Sequence, residues 1–323
     1  MLSIGLFFIN GLEEVGKVKN GCGVKMKGRK PFFQALILPS EEGWQLRTIL
    51  KRHYNFSTGL IRQIKHYGLI LVNGEEKLLV YKAKAWDRVE VVLSFASKVE
   101  PEDLPLDVVY EDSDIIIVNK SAGQVVHPRH QYISGTLANA LAGYLVAQGE
   151  QPSSFLINRL DKGTSGLLLA AKNPLAALIL SKEINSMQKD YLALVSGRVE
   201  KDSGVIDLPI EDPKDGVKRT ISQDGKDAIT RYKVIERFND CTLLRLSLGS
   251  GRTHQIRVHL SAINHPILGD DLYGGFPIDI DRPILHACSL RLFHPRTGVI
   301  CEAEAPLPDD FSLLLQQYSG SRP

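Results

Sequence analysis

The chain has 323 residues, of which 43% are hydrophobic and 24% charged, values typical of a globular protein with about two domains. A formal net charge of +2 excludes attraction of nucleic acid by the protein as a whole, so such binding would need local basic patches. The four cysteines form no CxxC pair, which argues against a structural zinc site or a disulfide framework and favours a reducing cytosol.

Residues 1–40 are predicted to be an extension that is partly disordered. Residues 1–25 begin apolar and then become rich in Gly and Lys, without the basic segment and cleavage site of a signal peptide. An alternative is a start assigned too early, since Met26 begins a more conventional sequence. The apolar residues 32–38 predict a strand. No apolar run reaches the ~20 residues of a membrane helix, and the cysteine pattern leads us to expect a cytoplasmic protein.

Residues 41–95 are predicted to form a small domain of two helices and a hairpin. Ser57 is suited to cap the second helix, and an Asn–Gly pair predicts a tight turn between strands at 69–72 and 77–81. Another strand is expected at 88–93. The apolar positions at helical spacing are Leu46, Ile49, Leu50, Leu60, Ile61, Ile64 and Tyr67. The opposite faces carry the basic residues Arg47, Lys51, Arg52, Arg62 and Lys65.

The stretch STGLIRQIKHYGLILVNGE in this segment resembles the RNA-binding domain named after ribosomal protein S-four. The resemblance covers about Gln45 to Leu93 and implies that the five basic residues contact RNA. Without it, the same charges would be read as a solvated helix face. Residues 96–106, with two prolines, are predicted to link this domain to a second one at 107–316, and 317–323 to form a tail.

The second domain opens with a predicted buried strand at 115–118 and the segment NKSAGQVVHP. His127 in this segment could act as a ligand or a base, but a lone His before Pro is more often structural. A helix is predicted from Thr136 to Leu145 because leucines recur there at helical spacing.

The polar loop at 158–166 is the main candidate for chemistry. Apolar runs at 155–157 and 167–171, predicted to be strands, flank it, and it displays Asp161 beside Arg159. A carboxylate on a loop held by buried strands is well placed for catalysis. From the residues alone, a charged turn with an Asp–Arg ion pair is the simpler interpretation.

The helix after this loop is predicted to begin at Asn173, an N-cap before Pro, and to end near Met187. Tyr191 opens the next strand, in KDYLALVSG, where a Tyr is most simply a packing residue with its hydroxyl in water. Two alternating segments, 229–237 and 241–248, predict a hairpin.

Residues 249–275, GSGRTHQIRVHLSAINHPILGDDLYGG, concentrate glycine and basic residues. The glycines do not fit a dinucleotide loop, because the third position is His254 and no βαβ unit surrounds it. The spacing of His254 and His259 is not that of a helical zinc site. The acid pair Asp270 and Asp271 is predicted to lie on a turn.

Several of these segments, in this order, resemble the motifs of the RluA-type pseudouridine synthases. RLDKGTSGLLLAAK resembles the central motif, KDYLALVSG the second, GRTHQIRVHL with HPILGDDLYG the third, and LHACSLRLFHP the closing strand. NKSAGQVVHP resembles the first motif, with Ser121 in place of the usual Pro, and Asn158 stands where many relatives have His. The N-terminal domain and the order of the blocks are most similar to the RluD branch.

The resemblance implies an enzyme that isomerises uridine in RNA to pseudouridine, and such an isomerisation needs no cofactor or metal. The family's catalytic residues map onto Asp161, Tyr191 and Arg257, with Arg257 as the ionic partner of Asp161. The residues expected to bind the substrate are Arg159, Arg252, His254 and Thr164. Large-subunit ribosomal RNA is the favoured substrate and transfer RNA the alternative. We expect a monomer that also meets ribosome assembly intermediates.

The implied fold is α+β, with a large, mainly antiparallel mixed sheet, flanking helices and a central cleft, joined to the small N-terminal α/β domain. Two other functions stay open at this point. An RNA-binding protein without catalysis would explain the N-terminal domain, but not the positions of Asp161, Tyr191 and Arg257. A hydrolase with two carboxylates would need a partner for Asp161, and none is evident in the sequence.

Overall fold

The computed structural model describes residues 31–93, 99–129, 131–150, 152, 155–213 and 216–320. The predicted extension up to residue 30, part of the predicted linker and the last three residues lie outside these ranges, as does the side chain of Tyr67. From Pro31 onward the chain forms one compact unit. Among the described residues, no helix is long and apolar enough to cross a membrane.

A four-stranded sheet and two helices make up the N-terminal part. In chain order they are β1 (Phe33–Leu36), α1 (Leu46–Arg52), α2 (Thr58–Tyr67), β2 (Gly68–Val72), β3 (Glu75–Glu76) and β4 (Arg88–Leu93). The strand order is β1-β4-β2-β3, and every neighbouring pair is antiparallel. Ser57 caps α2 by accepting a hydrogen bond from the Leu60 N–H (3.0 Å). β1 lies before residue 41, the predicted start of this domain.

The predicted strand at 77–81 is wrong. After β3 the chain leaves the sheet and runs back along the beginning of α1. There the Tyr81 carbonyl accepts a hydrogen bond from the Leu46 N–H (3.0 Å). The Leu79 carbonyl accepts one from the Arg47 N–H (2.9 Å). Because N–H groups in the first turn of a helix lack a partner inside the helix, these carbonyls cap α1 instead of extending the hairpin.

The rest of the chain builds a large sheet with helices on both faces. The strands in this part of the chain are β5 (Val108–Glu111), β6 (Ile115–Lys120), β7 (Phe155–Leu156), β8 (Ser165–Ala171), β9 (Gln188–Ser196), β10 (Ser203–Asp207), β11 (Ile210–Glu211), β12 (Thr220–Ile221), β13 (Ile229–Arg237), β14 (Cys241–Leu248), β15 (Leu285–Phe293) and β16 (Ile300–Glu304). Its helices are α3 (Leu137–Ala147), α4 (Pro174–Lys182), α5 (Gln255–Ala262) and α6 (Asp309–Gly320). Two short 3-10 helices span Pro39–Glu41 and Asp271–Tyr273.

Within the described residues this sheet has ten strands, in the order β10-β13-β14-β9-β15-β8-β6-β5, with β16 beside β15 and β7 beside β8. β11 and β12 pair separately. The β8–β15 pair is parallel, and the other pairs in the sheet are antiparallel. The predicted α+β fold with a mainly antiparallel mixed sheet is confirmed. The predicted hairpin of β13 and β14 is also present.

The central strands β6 and β8 are buried on both faces. Ile116 and Leu168 belong to the core that contains residues of α3, α5 and α6. Ile117 and Leu169, one position further along each strand, belong to the core that contains residues of α4. Successive side chains of a strand point to opposite faces, and here a core covers each face. The segments 115–118 of β6 and 167–171 of β8 are therefore apolar at every position instead of alternating.

The parallel seam between β8 and β15 begins where the polar loop ends. Ser165 pairs with His286, and Gly166 pairs with Ala287. Gly166 has a φ of +108°, and a Cβ there would stand 2.2 Å from the Ala287 carbonyl oxygen. Only glycine allows this conformation and this approach without strain. The seam therefore anchors the C-terminal end of the loop that carries Asp161.

Helix α4 is shorter than predicted and connects the two parts of the chain. Asn173 caps its start, as expected, by accepting a hydrogen bond from the Ala176 N–H (2.9 Å). The predicted end near Met187 is wrong, because the Glu183 carbonyl accepts hydrogen bonds from both the N–H and the hydroxyl of Ser186, which closes a turn. Two leucines of this helix, at 175 and 178, pack against the N-terminal core.

Candidate active site

A buried lysine donates hydrogen bonds that hold the loop carrying Asp161 in place. Lys120, 1% exposed at the end of β6, donates hydrogen bonds to three carbonyls, those of Ser121 (2.7 Å), Gln124 (3.0 Å) and Lys162 (3.3 Å). Burial lowers the pKa of Lys120 to about 8, although the charge of Asp161 opposes the shift. The lysine thus ties the segment after β6 to the residue next to Asp161.

The Asp161 carboxylate lies in a cleft and faces two nitrogen atoms. Oδ2 is 3.8 Å from Nη1 of Arg257 and 3.9 Å from Nε2 of His254. The Asp161 side chain is 19% exposed. Both distances exceed a hydrogen bond. The carboxylate thus lies near two donors but accepts a side-chain hydrogen bond from none of the described residues. Its oxygens are therefore available to a bound molecule.

Arg257 is fixed by a different acid. Its Nε and Nη2 donate to the two carboxylate oxygens of Asp270, at 2.7 and 2.6 Å. Burial of the guanidinium opposes its charge, but the hydrogen bonds and charge of Asp270 outweigh this effect and hold the pKa of Arg257 above its ordinary value. Bidentate pairing sets the plane of a guanidinium as well as its position. Asp270 therefore aims Nη1, the remaining nitrogen, toward Asp161.

Tyr191 lies in the wall of the same cleft. It belongs to β9, opposite Ala287 of β15, and is buried. Burial raises the pKa of its hydroxyl strongly, and the nearby Asp161 adds to the shift. The hydroxyl therefore stays protonated at neutral pH. The cleft has a volume of about 360 Å³, in the range of sites that hold a small organic group.

Comparison with known proteins identifies the family. A model of the RNA pseudouridylate synthases matches residues 114–262. The uncharacterized RNA pseudouridine synthase YlyB of Bacillus subtilis is 40% identical over 271 residues, which cover 81% of this chain and 89% of that protein. The chain belongs to the RNA pseudouridylate synthase family. The ribosomal large subunit pseudouridine synthase D of Pasteurella multocida is 38% identical over 306 residues, which cover 88% of this chain and 94% of that protein.

A solved structure shows the same fold. Human RNA Pseudouridylate Synthase Domain Containing 1 superposes with a TM-score of 0.52 at 26% identity, over 71% of this chain and 99% of that one. The family predicted from the motifs is confirmed, and the chain is an RNA pseudouridine synthase, an enzyme that isomerises uridine in RNA. A binding protein without catalysis and a hydrolase are thereby set aside.

The other residues predicted to bind the substrate also line the cleft of the synthase. Arg159 is exposed at its rim, and Thr164 is buried. Arg252 is exposed and donates from Nε to the Asp227 carbonyl (3.1 Å). His254 and His127 face the same space. The basic residues predicted to bind RNA are elsewhere, on the N-terminal helices: Arg47, Arg52, Arg62 and Lys65 are exposed, and Lys51 is half-buried.

Asn158, where many relatives have His, has a structural role in this chain. Its Oδ1 accepts a hydrogen bond from the Leu169 N–H (2.7 Å), and its Nδ2 donates to the Leu167 carbonyl (3.4 Å). The side chain thus extends the pairing of β8 on the side of the loop. Its departure from the family pattern leaves the loop anchored.

The sequence interpretation missed three residues of the site. They are Lys120 in the first motif, Asp270, for which the sequence predicts only a turn, and Tyr273. The signal for Asp270 was an acid directly after the apolar stretch PILG. Because both of its oxygens bond to Arg257, Asp270 cannot serve as the second carboxylate of a hydrolase.

One group of metal-binding residue types occurs among the described residues outside the cleft. Ligand atoms of Asp112, Asp114 and His294 lie within 4.8 Å of one another. Nε2 of His294 is 2.8 Å from Asp112, and Arg296 donates to both oxygens of Asp114. These contacts satisfy the acids with protein donors and identify the group as an ion-pair network that ties β5 and β6 to the segment after β15.

Proposed function

We propose that the synthase converts uridines of large-subunit ribosomal RNA to pseudouridine in the cytoplasm, with Asp161 as the residue that acts on the bond between ribose and base. The observation that carries this proposal is the state of the Asp161 carboxylate, which faces Arg257 and His254 in the cleft without a hydrogen bond from the described residues. The named relative from Pasteurella multocida supports the choice of RNA.

The reaction breaks the bond between ribose C1′ and uracil N1 and forms one between C1′ and C5. The base turns between these steps, N1 gains a proton and C5 loses one, so atoms and electrons balance without a second substrate. Asp161 can start the reaction as a nucleophile at C1′ or as a base that removes a proton from C2′. Both routes need an ionised carboxylate at the ribose, and Arg257 is placed to stabilise its charge.

The cleft accounts for how a base would be held. A uridine in structured RNA must leave the base stack, which costs on the order of a few kcal/mol. Tyr191 in the cleft wall packs against the flipped uracil and stands beside C5 once the base has turned. Arg159 at the rim fills the gap left in the stack. Tyr132, with the Lys162 ammonium 5.1 Å from its ring centroid, offers a further stacking surface beside the loop.

The N-terminal domain at 41–95, which resembles the S-four-type RNA-binding domain, would hold the RNA through its phosphates. Support comes from the exposed basic side chains on α1 and α2, including Arg47 and Arg62. The packing of this domain on α4, which begins three residues after β8, supports a fixed distance between the phosphate contacts and the loop that carries Asp161.

The experiment is pseudouridine mapping by carbodiimide labelling and reverse transcription, on RNA from cells that lack the gene. Wild-type protein and the control Asp279→Asn, an exposed acid outside the cleft, should restore the missing reverse-transcription stops. Asp161→Asn should restore less than about 1% of the signal, the scale of losing a catalytic acid or base.

Two results would overturn separate parts of this proposal. An active Asp161→Asn variant would remove Asp161 from the chemistry. Stops that vanish from transfer RNA, while those in large-subunit ribosomal RNA stay, would show that the substrate class is wrong and leave the role of Asp161 intact.

A further inference from the structure

Tyr273 is a buried residue that touches both donors facing Asp161. It ends the 3-10 helix Asp271–Tyr273 and is 4% exposed. The centre of the Arg257 guanidinium lies 5.0 Å from its ring centroid. The ring of His254 meets it edge to face, with centroids 5.7 Å apart. Tyr273 thus contacts Arg257 with its ring and His254 with its ring and its hydroxyl.

The hydroxyl of Tyr273 has two polar neighbours, and their chemistry decides where its proton lies. The Arg219 backbone N–H is 2.8 Å away and can only donate, so the tyrosine oxygen accepts there. Nδ1 of His254 is 3.0 Å away. Across the part of the chain that is described, this nitrogen is the one acceptor in reach of the hydroxyl proton. Tyr273 therefore donates to Nδ1.

This hydrogen bond selects one form of His254. A neutral imidazole carries a single N–H, so a ring that accepts at Nδ1 has its proton on Nε2. Nε2 lies 3.9 Å from Oδ2 of Asp161, the same oxygen that Arg257 faces at 3.8 Å. The backbone of His254 is held in the left-handed region at φ 57° and ψ 17°, a conformation that non-glycine residues seldom adopt.

We propose that Tyr273 is a positioning residue of the synthase, which holds His254 as the Nε2–H form aimed at Asp161 while its ring supports Arg257. This inference rests on the proposed role of Asp161. In the site without substrate, Arg257 and His254 both face Oδ2 of Asp161 and stabilise its charge, which leaves Oδ1 to the substrate. A protonated His254 would instead form a full ion pair with Asp161 and reduce its reactivity.

The charged state of His254 depends on several groups around it. Burial is the main cause that lowers its pKa, and two arginines act in the same direction, whereas the two acids oppose them. The ionisable residues that face it are Asp161, Arg219, Arg257, Asp270 and Tyr273. Loss of the Tyr273 hydroxyl frees Nδ1 to take a proton, so the pKa of His254 should rise and the acid limb of the kcat profile should move to higher pH.

The test is Tyr273→Phe in the full-length enzyme, with a tritium-release assay on transcribed ribosomal RNA. The variant keeps the ring under Arg257 and loses the hydroxyl alone. We expect kcat to fall about tenfold, the scale of one hydrogen bond, and KM for RNA to stay within about twofold. Nitrogen NMR of the labelled histidine should show the Nε2–H form in the wild type and a mixture in the variant.

A double-mutant cycle separates this role from general packing. If Tyr273 acts through His254, Tyr273→Phe should cost little more in a His254→Ala background. The control is Tyr144→Phe, which loses a comparable hydroxyl bond, to Glu111 (2.8 Å), outside the cleft and should keep wild-type kcat and pH profile.

Additive losses in the cycle, or an unchanged NMR signature in Tyr273→Phe, would refute the proposal. Because the NMR signature reports His254 without turnover, this outcome is separate from a failure of the proposed role of Asp161, which Asp161→Asn decides. Urea unfolding of each variant confirms that the compared proteins are folded.

Discussion

Asp270→Asn tests whether the acid that binds Arg257 also organises the reaction. The substitution keeps the size of the side chain and removes its charge. Asp270 is fully buried, and Arg257 is 12% exposed, so the pair is well shielded from water. Asn can still accept one of the two hydrogen bonds, but it cannot balance the guanidinium charge.

The magnitude follows from the geometry of this pair. Removing one partner of a buried ion pair usually destabilises a protein by about 3–5 kcal/mol. One retained hydrogen bond and the second acid, Asp161, at 3.8 Å reduce this cost, so we expect the free energy of unfolding to fall by about 2–3 kcal/mol. The freed guanidinium should turn to Asp161 and bond to it directly. Neutralising and tilting that carboxylate should lower kcat at least about tenfold.

The assay pairs urea unfolding with single-turnover kinetics on transcribed ribosomal RNA. The matched control is Asp114→Asn, which breaks another bidentate pair, with Arg296, at a buried acid outside the cleft. Both variants should lose stability, and only Asp270→Asn should lose kcat when each is assayed well below its unfolding transition. Equal kcat values in the two variants would refute the claim that Asp270 orients Arg257 for the reaction.

Two further predictions concern the seam and the RNA contacts. Gly166→Ala should lower the free energy of unfolding by more than about 3 kcal/mol, because its Cβ would overlap the Ala287 carbonyl. The control Gly123→Ala also has a positive φ but open space around the new Cβ, and should lower it by about 1–2 kcal/mol. Equal losses in urea unfolding would contradict this prediction. Arg47→Ala and Arg62→Ala should each reduce the slope of log affinity against log salt concentration by about 0.7–0.9, measured by fluorescence anisotropy of labelled RNA. Both variants should keep the wild-type single-turnover kcat. Unaltered slopes would exclude these residues from phosphate contacts.

Local sequence signals predicted much of the fold. The capping residues Ser57 and Asn173 start helices where expected, since a cap depends on groups within a few residues. The apolar run at 167–171 predicted a buried strand, which β8 confirms, and the fold adds that a core covers each of its two faces. The strand predicted at 77–81 failed because its carbonyls cap α1, a contact between segments more than thirty residues apart that periodicity cannot show.

In the active site, too, local sequence signals predicted some features and only the tertiary structure decided others. The ordered motifs were sufficient to identify the family and to predict Asp161, Tyr191 and Arg257 as its catalytic residues, because residue types and their order are properties of the chain itself. Which acid binds Arg257, and which residue orients His254, became clear only with the fold. Asp270 is 13 residues from Arg257, and Tyr273 is 19 from His254. Such pairs form only when sheet and helix packing brings distant segments together and excludes water, and burial then decides which charges and protons each group keeps.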